Sequence, residues 1–426
     1  MKVFKFGGAS VKEANAVKNV ANIINLFPKD NLLIVVSAMG KTTNALEKLN
    51  RSIYSNTNDI IAHIRTIKDY HYAIVNELFA DKTHQVFNEL AELFESLAKQ
   101  TSCSPSENVD YSYDQIVSFG ELIATKIISN YLQVVGIDNT WLDVREIIKT
   151  NTNYREGLVD WKLTNNLSQK QLLPAYNSYK ERKIIVTQGF IAGTTEKTTT
   201  TLGREGSDYT ASILAYQLNA EEVIIWKDVP GVLNADPKYF SVTEKLNAIS
   251  YREAIELSYY GATIIHPKTI KPLQNKNIPL SVKSFIAPED AGTLINNNTQ
   301  SDSLIPSFIF KVNQLLISLM PKDFSFIAED NLSKIFACFV KHHVKINLMQ
   351  NSAISFSVCF DNIPEKAQAL ITELQQTYKI KYNEHLELIT IRHFDQKTID
   401  RVTQDKIILL EQKSRSTAQL VVKNKN

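Results

Sequence analysis

The sequence predicts an α/β fold, a mainly parallel open sheet with helices on both faces, followed by smaller α+β modules. Over residues 1–295, short apolar runs typical of buried strands alternate with amphipathic helical segments. Glycine-rich or polar turns follow several of these strands, as in sheets that bind ligands at their carboxyl edge. From about residue 305 the pattern changes to strands and helices in βαββα order, which predicts the modules.

The composition excludes several classes of protein. The chain has 426 residues, 44% of them hydrophobic, and a net charge of +2 without a basic stripe, so we expect neither nucleic-acid nor membrane binding. No apolar run approaches membrane-spanning length. Cys103, Cys338 and Cys359 are too far apart for a cysteine metal motif or a disulfide framework. We therefore expect reduced thiols and a cytoplasmic location.

The chain opens with a βαβ unit. Val3–Phe6 alternates as a strand does and ends in Gly7-Gly8, and the S-x-x-E spacing of Ser10–Glu13 predicts a capping box at the start of a helix. Leu32–Val36 is a continuous apolar run, typical of a strand buried on both faces, and the polar turn Ser37–Asn44 follows it. Both turns should meet at the edge of the sheet where ligands bind.

The remaining elements of the large domain follow the same alternation. Residues 45–115 are predicted to form a helical insertion without a recognisable catalytic or binding motif, and Ser118–Leu122 starts a further helix. A second capping box at Ser250–Glu253 begins a helix that should end at Gly261. Further strands are predicted at Trp141–Asp143, Lys183–Thr187, Glu222–Trp226 and Ile278–Val282.

The stretch Thr198–Leu218 carries the strongest anion-binding pattern. Its loop Gly203–Gly206 leads into an amphipathic helix, with Ser207 as the predicted N-cap and Asp208 in the first turn. Backbone N–H groups at such a junction can bind an anion. Arg204 adds a planar guanidinium group that can hold a carboxylate or phosphate through two hydrogen bonds.

Familiar nucleotide and metal motifs are absent from the sequence. Gly40-Lys41-Thr42 resembles the end of a Walker A loop, but Val35 stands where its first glycine is required. No G-x-G occurs, which excludes the dinucleotide fingerprint, and no H-E-x-x-H or Cys/His cluster predicts a protein-held metal. His266, just before Pro267, is interpreted as structural.

Three charged residues predict a site for an amino acid and a phosphate. Lys5 lies within an apolar strand next to a di-glycine, where its ammonium group can contact phosphate oxygens. Glu121 follows Gly120 near a helix start and could bind an ammonium group, while Arg204 could bind a carboxylate. Together the last two would hold both ends of an amino acid.

A family resemblance rests on four segments in the right order and spacing: Lys5–Val11, Gly203–Tyr209, Ile225–Gly231 and Gly261–Pro267. With these segments the chain resembles the aspartokinases, which have the amino acid kinase fold, over residues 1–295. Residues 305–380 are similar to a first ACT-like βαββαβ regulatory module, and residues 381–426 to a reduced second module with a tail.

The resemblance implies transfer of phosphate from ATP to the β-carboxylate of L-aspartate. This is the first step towards lysine, threonine and methionine. Mg²⁺ would be held mainly by the ATP phosphates. An end-product amino acid, lysine or threonine, is the implied effector, and a homodimer or higher homo-oligomer the implied assembly. Asn347 and Ala353 stand where lysine-sensing members usually have acids, which does not favour the usual mode of lysine binding.

The resemblance also implies site residues. Thr263 and Leu233 depart from the family pattern on the nucleotide side, where many members have lysine and tyrosine. The implied catalytic residues are Lys5, Gly7, Gly8 and Asp208. The implied substrate-binding residues are Ser37, Ala38, Thr43, Glu121, Phe190, Arg204 and Ser207. The implied nucleotide-binding residues are Lys5, Gly7, Gly8, Lys227, Asp228, Leu233, Lys238 and Lys268.

Two alternatives stay open at this point. One is another amino acid kinase of the same fold, such as a glutamate kinase, which a substrate panel would distinguish. The other is a catalytically inactive protein that senses amino acids through its ACT-like modules, which would bind an amino acid without turning over ATP.

Overall fold

The structure is a computed structural model that describes residues 1–55, 59–102, 106–177, 182–240, 242–262, 265–323 and 325–425. Cys103 and Thr263 lie outside these ranges. The chain forms two compact units, and two segments that the sequence analysis assigned to the large domain belong to the second unit. The N-terminal unit comprises Met1–Val232, Lys245–Ile255 and Ile265–Thr299, and the C-terminal unit comprises Leu233–Glu244, Glu256–Ile264 and Gln300–Asn426.

An eight-stranded sheet is the centre of the N-terminal unit, in the order β3-β4-β2-β1-β7-β9-β10-β8. The strands from β3 to β9 in this order run parallel, and β10 runs antiparallel to β9. The strands of this sheet are β1 (Lys2–Phe6), β2 (Leu32–Val36), β3 (Thr140–Leu142), β4 (Ile184–Gln188), β7 (Glu222–Lys227), β8 (Ala248–Ser250), β9 (Leu280–Ser284) and β10 (Thr293–Asn296). Two further strands, β5 (Ile191–Gly193) and β6 (Thr199–Thr201), form a separate antiparallel pair.

The α-helices of this part of the chain follow the predicted alternation, including the helical insertion, which consists of α2 to α5. They are α1 (Ala14–Asn25), α2 (Thr42–Tyr54), α3 (Ile60–Leu78), α4 (Gln85–Ser102), α5 (Val109–Val117), α6 (Phe119–Val134), α7 (Trp161–Gln171), α8 (Leu173–Asn177), α9 (Gly206–Leu218), α10 (Tyr251–Tyr260) and α11 (Pro267–Lys276).

Side chains along β1 alternate between an apolar face of the sheet and a face that carries a charged residue. Phe4 and Phe6 are fully buried in a core that also contains residues of α1, α6 and the helical insertion. Lys5 points to the other face, where Asp208 on α9 lies 2.6 Å from its Nζ. Helices therefore cover both faces, and the α/β fold class predicted from the sequence is confirmed.

Most predicted strands of the sheet agree with the structure within two residues, and the differences have local causes. The short strands β8 and β10 were missed because each has only three or four residues. The predicted capping box at Ser10 is wrong: Gly8–Val11 forms a 3₁₀-helix, and α1 starts after Glu13 without a side-chain cap. The second capping serine is confirmed, since Ser250 Oγ accepts the Glu253 N–H at 3.0 Å.

The C-terminal unit contains a six-stranded sheet in the order β12-β13-β11-β14-β16-β15. Every neighbouring pair in it is antiparallel. Its elements are β11 (Ser307–Pro321), α12 (Glu329–Lys341), β12 (Ile346–Asn351), β13 (Phe356–Asp361), α13 (Pro364–Leu374), β14 (Tyr378–Arg392), α14 (Gln396–Thr403), β15 (Lys406–Lys413) and β16 (Thr417–Asn424).

Two long strands join the ACT-like modules into one sheet. The 15-residue strands β11 and β14 pair along almost their whole length, from Ser307↔Arg392 to Pro321↔Tyr378. One end of this ladder borders β13 and the other end borders β16. The sequence predicted only a reduced second module, but this part of the chain contains the helix α14, with a capping box formed by Asp395 and Thr398. Among the described residues, no helix is both long and apolar enough to cross a membrane.

Candidate active site

The two loops that follow β1 and β2 are held together by backbone contacts. Gly40 N–H donates to the Gly8 carbonyl at 3.0 Å, and Ser37 N–H donates to the Phe6 carbonyl at 3.1 Å. A Cβ atom on Gly8 would lie 2.7 Å from the Ala38 carbonyl oxygen, which is far too close. Gly8 therefore has a packing role: it lets the two polar turns meet at the carboxyl edge of the sheet.

Lys5 and Asp208 form a buried ion pair. Lys5 Nζ lies 2.6 Å from Asp208 Oδ1, and the Asp208 side chain is fully buried. Burial alone would raise the pKa of Asp208, but Lys5 and then Lys227 more than offset it, so the pKa lies below its usual value. Asp208 is therefore ionised at neutral pH and holds the Lys5 ammonium group at the end of β1.

Glu121 is a buried carboxyl group with one unused oxygen. Its side chain is 2% exposed, and Oε1 accepts the Ala38 N–H at 3.1 Å. Oε2 is buried and has no hydrogen-bond partner among the described residues. Burial raises the pKa of Glu121 to about 8, although the Ala38 hydrogen bond acts in the opposite direction. An ammonium group bound at Oε2 would satisfy this oxygen and lower the pKa.

The loop before α9 differs in detail from the prediction. Ser207 is not the N-cap, because α9 already starts at Gly206 and Glu205 occupies the cap position with a left-handed backbone, φ 56°. Gly206 packs so closely on Phe190 that a Cβ would lie 2.7 Å from the ring. Phe190 also has a positive φ, 69°, and its N–H is bound by Thr210 Oγ1 at 3.0 Å. These contacts place Arg204 at the exposed tip of the loop.

A cavity of about 500 Å³ collects most of the predicted substrate-binding residues. Ala38, Gly7 and Gly8 do not line it, although Ala38 holds Glu121 and Gly8 holds the two loops together. The glycine-rich segment also contributes Thr201, Gly203, Glu205 and Gly206 to its wall. The predicted residues that line it are Lys5, Ser37, Thr43, Glu121, Phe190, Arg204, Ser207 and Asp208.

Sequence reasoning missed Tyr113, Arg155 and Glu156, which also line this cavity. The Arg155 guanidinium lies 4.0 Å from the centre of the Tyr113 ring, and its backbone has a positive φ of 67°. Asp114 maintains this backbone: its Oδ2 accepts the N–H groups of Arg155 at 2.8 Å and of Thr201 at 2.9 Å. The positive φ of a non-glycine residue cannot be read from sequence, so no local signal identified Arg155.

The predicted nucleotide-binding residues are more dispersed. Lys227 lies close enough to lower the pKa of Asp208, and Asp228 follows it in the same turn after β7. Leu233 and Lys238 belong to the segment Leu233–Glu244 of the C-terminal unit. Lys268 lines another cavity of the N-terminal unit, next to α11. The nucleotide roles of these residues remain predictions.

Among the described residues, no group of three or more His, Cys, Asp or Glu side chains is close enough to hold a metal ion. The Asp208 carboxylate pairs with Lys5. Mg²⁺ prefers phosphate oxygens and water as ligands, and an ion held in this way needs no such group of side chains.

Comparison with known proteins relates this site to a family. The model of the amino acid kinase family matches residues 1–284. Lysine-sensitive aspartokinase 3 of Escherichia coli K12 is 30% identical over 401 residues, which cover 91% of this chain and 86% of that protein. Aspartokinase 2, chloroplastic, of Arabidopsis thaliana is 31% identical over 398 residues, which cover 91% of this chain and 71% of that protein.

Solved structures agree with these relatives. E. coli aspartokinase III in complex with lysine and aspartate, in the T-state, superposes with a TM-score of 0.82 at 27% sequence identity. The alignment covers 100% of this chain and 96% of the chain of that structure. The same enzyme in complex with aspartate and ADP, in the R-state, superposes with a TM-score of 0.80, and the alignment covers 99% of this chain and 96% of the chain of that structure. The chain therefore belongs to the amino acid kinase family and, within it, to the aspartokinases.

Proposed function

We propose that this aspartokinase transfers the γ-phosphoryl group of ATP to the β-carboxylate of L-aspartate, giving 4-phospho-L-aspartate and ADP. The observation that carries the proposal is the charge arrangement of one cavity. The unpaired Oε2 of Glu121, the Arg204 side chain and the ion-paired Lys5 all line it. These groups match an α-ammonium, an α-carboxylate and a transferring phosphoryl group.

The reaction needs positioning more than acid–base chemistry. The nucleophile is a carboxylate with a reference pKa of about 3.9, so it is ionised at neutral pH without a general base. Catalysis then consists of holding the β-carboxylate close to the γ-phosphorus and neutralising the charge that spreads over the phosphoryl oxygens. This is the chemistry that a buried, pre-oriented lysine can support.

Each end of the substrate has its own residues in this proposal. Glu121 binds the α-ammonium group, and Arg204 binds the α-carboxylate. Ser37 and Thr43 line the region between them and the β-carboxylate, and they lie in the same cavity. Phe190, Ser207 and Ala38 shape the wall, since Ala38 N–H orients Glu121 at 3.1 Å.

The phosphoryl group would meet the end of β1. Lys5 neutralises its charge and is itself held by Asp208 at 2.6 Å. Gly7 and Gly8 would donate backbone N–H groups, as glycine-rich loops do to phosphates. Lys227, Asp228, Leu233, Lys238 and Lys268 are proposed for the nucleotide. Mg²⁺ bound to the phosphates would supply further charge neutralisation.

Regulation and assembly are also proposals. The relative from E. coli is lysine-sensitive by name, which supports an amino-acid effector, lysine or threonine. In this chain Asn347 is already engaged: its Oδ1 accepts from Lys311 Nζ at 2.8 Å, and its Nδ2 donates to Asp361 at 2.9 Å. A homodimer and a cytoplasmic location are likewise proposed.

An ATP- and Mg²⁺-dependent hydroxamate assay tests the reaction. We expect turnover with L-aspartate and not with L-glutamate, and inhibition by one of lysine, threonine or methionine. Turnover with glutamate instead would identify another amino acid kinase of this fold. Absence of turnover with every amino acid, in a protein that still binds one of them, would identify an inactive amino-acid sensor.

A further inference from the structure

A second cavity of about 750 Å³ lies in the N-terminal unit between α7, α9 and α11. It is distinct from the candidate active site, and its volume is within the range of pockets that bind small molecules. We call it the lysine-lined cavity, because four lysines contribute to its wall: Lys162, Lys268, Lys271 and Lys276. No acidic side chain is among the described residues that line it, so it favours an anion.

Aromatic side chains form another part of the same wall. Trp161 and Tyr216 meet edge to face with ring centroids 5.3 Å apart, and Tyr209 lies on the same helix as Tyr216. Lys276 Nζ lies 4.1 Å from the centre of the Tyr216 ring and donates to the Tyr216 carbonyl at 2.6 Å. Aromatic rings beside cations fit a ligand that joins a flat ring to an anionic group.

Gln217 supplies an independent observation. Its side chain is 1% exposed, yet neither Nε2 nor Oε1 has a hydrogen-bond partner among the described residues. Gln217 lines the lysine-lined cavity. A buried amide without partners is costly, whereas a ligand that offers one acceptor and one donor would satisfy both atoms. The edge of a nucleobase has this pattern and is attached to a flat ring, whereas inorganic phosphate has no ring surface for the aromatic side chains to contact.

We propose that the lysine-lined cavity binds a nucleotide, with the phosphate held by the lysines and the base recognised by the aromatic side chains and Gln217. The size, charge, ring surfaces and unpaired amide of the cavity all fit this class of ligand. The site is separate from the place proposed for ATP, with the exception of Lys268, which is a candidate for both.

The two cavities share a wall. Two pairs of neighbouring residues show this. Thr201 and Asp208 line the active-site cavity, whereas the residues that follow them, Leu202 and Tyr209, line the lysine-lined cavity. The segment between these pairs carries Arg204. A nucleotide bound against Leu202 and Tyr209 would restrain this segment and change the affinity for aspartate. This coupling rests on the proposed function, whereas binding itself does not.

Calorimetric titration of the full-length protein with AMP, GMP, CMP and UMP tests the binding. We expect at least one of them to bind with a dissociation constant below about 1 mM. The double variant Lys162→Glu/Lys271→Glu should weaken this binding at least about tenfold, because charge-assisted hydrogen bonds are lost. Lys170→Glu, an exposed lysine on α7 outside the cavity, is the matched control and should bind normally.

Two further results decide the role of the base. Inorganic phosphate should bind much more weakly than the nucleotide, and equal affinity would overturn the proposal, as would nucleotide binding that the double variant leaves unchanged. Gln217→Leu should weaken nucleotide binding without lowering Tm, since the amide makes no hydrogen bond in the described chain. A clear fall in Tm would show a structural role for Gln217 instead.

The coupling has its own readout. In the hydroxamate assay, the nucleotide should change the aspartate KM at least about twofold in the wild type and not in Lys162→Glu/Lys271→Glu. An unchanged KM in the wild type would overturn the coupling. If the protein had no kinase activity, this assay would fail, but the calorimetric result would still decide whether the nucleotide binds.

Discussion

In the proposed mechanism, Lys5 depends on a buried counter-ion that holds its ammonium group. It is 8% exposed on an apolar strand, and Asp208 is fully buried beside it. Two charges in this environment are tolerated only as a pair, since either one alone would carry a large desolvation cost. Removing either residue alone would therefore leave the other as an unpaired buried charge and lower the stability.

Lys5→Met should separate catalysis from stability when it is compared with Lys5→Met/Asp208→Asn. Both variants should lose at least about a thousandfold in kcat, because the charge on the phosphoryl group is no longer neutralised. The single variant should also lose about 3 kcal/mol or more in the free energy of unfolding, measured with urea, because Asp208 remains buried without Lys5. The double variant should recover most of this stability. Near-normal kcat in either variant would refute the catalytic role.

Glu121 should make aspartate binding depend on pH. Its pKa is raised to about 8 by burial, so the free protein carries a neutral carboxyl group at pH 6 and must release a proton to bind an ammonium group. The aspartate KM should therefore fall as pH rises from 6 to 8, by up to about tenfold per pH unit. Glu121→Gln should raise KM and abolish this slope. A wild-type KM that is independent of pH in this range would contradict the assignment.

The site residues that could be predicted from the sequence are charged residues that stand out from the residues around them. Lys5 is a charge within an apolar strand, and Arg204 lies in a glycine-rich loop before a helix. Glu121 was identified by its place near a helix start. Tyr113 and Arg155 have no such signal, because α5 reads as an ordinary helix and only the fold brings Arg155 over the Tyr113 ring.

At the level of the elements, the two loops after β1 and β2 act as one structure. The hydrogen bond from Gly40 N–H to the Gly8 carbonyl and the close approach of Gly8 to Ala38 leave no room for a side chain. Gly7 is different, since its Cβ would meet only the flexible end of Lys5, at 3.3 Å. The two neighbouring glycines thus have different reasons to lack a side chain.

Gly8→Ala should impair the enzyme far more than Gly7→Ala. The added methyl group would push the Ala38 backbone away and shift both loops, and a displacement of this size at a reacting centre costs about a hundredfold in kcat. Gly7→Ala should cost less than about tenfold, because its Cβ would lie 3.3 Å from Lys5 Nζ, a contact that a shift of a few tenths of an ångström relieves while the Asp208 ion pair stays formed. Steady-state kinetics and Tm of both variants test this. Equal losses would mean that backbone contact with phosphate, rather than loop packing, is the main role of both glycines.

The elements that sequence reasoning missed were short or polar. α14 spans eight residues and buries only Ile399 and Val402, so its apolar periodicity rests on two positions. No single apolar run marks the whole of β11, because the register is irregular between Lys311 and Gln314 and polar residues interrupt the apolar pattern there. The continuous apolar run of β2, in contrast, gave the correct bounds, since both of its faces are buried.

At the scale of the whole molecule, the ACT-like modules are halves of one sheet rather than separate bodies. β11 and β14 run through both halves, and each half has its own apolar cluster, one around Phe360 and the other around Leu420. Because the same backbone hydrogen bonds stabilise both, we expect the C-terminal unit to unfold as a single cooperative structure.

Core substitutions in either half should therefore expose the whole of β14. Phe360→Ala and Leu420→Ala should each lower the free energy of unfolding by about 2–5 kcal/mol. Hydrogen exchange should accelerate in both ends of β14 in either variant. Val340→Ala, at a position that is 74% exposed on α12, is the control and should change little. Acceleration confined to the substituted half would show that the modules unfold independently.

The segment Leu233–Glu244 has a consequence for synthesis on the ribosome. Phe240 stacks on Phe308 with ring centroids 4.7 Å apart, and the Arg401 guanidinium lies 4.2 Å from the centre of the Phe240 ring. Both partners are translated after Phe240, Arg401 by about 160 residues. The nascent chain thus carries Phe240 without its Phe308 contact for about 70 residues and without its Arg401 contact for about 160. This interval is when chaperones or premature association would act on the protein.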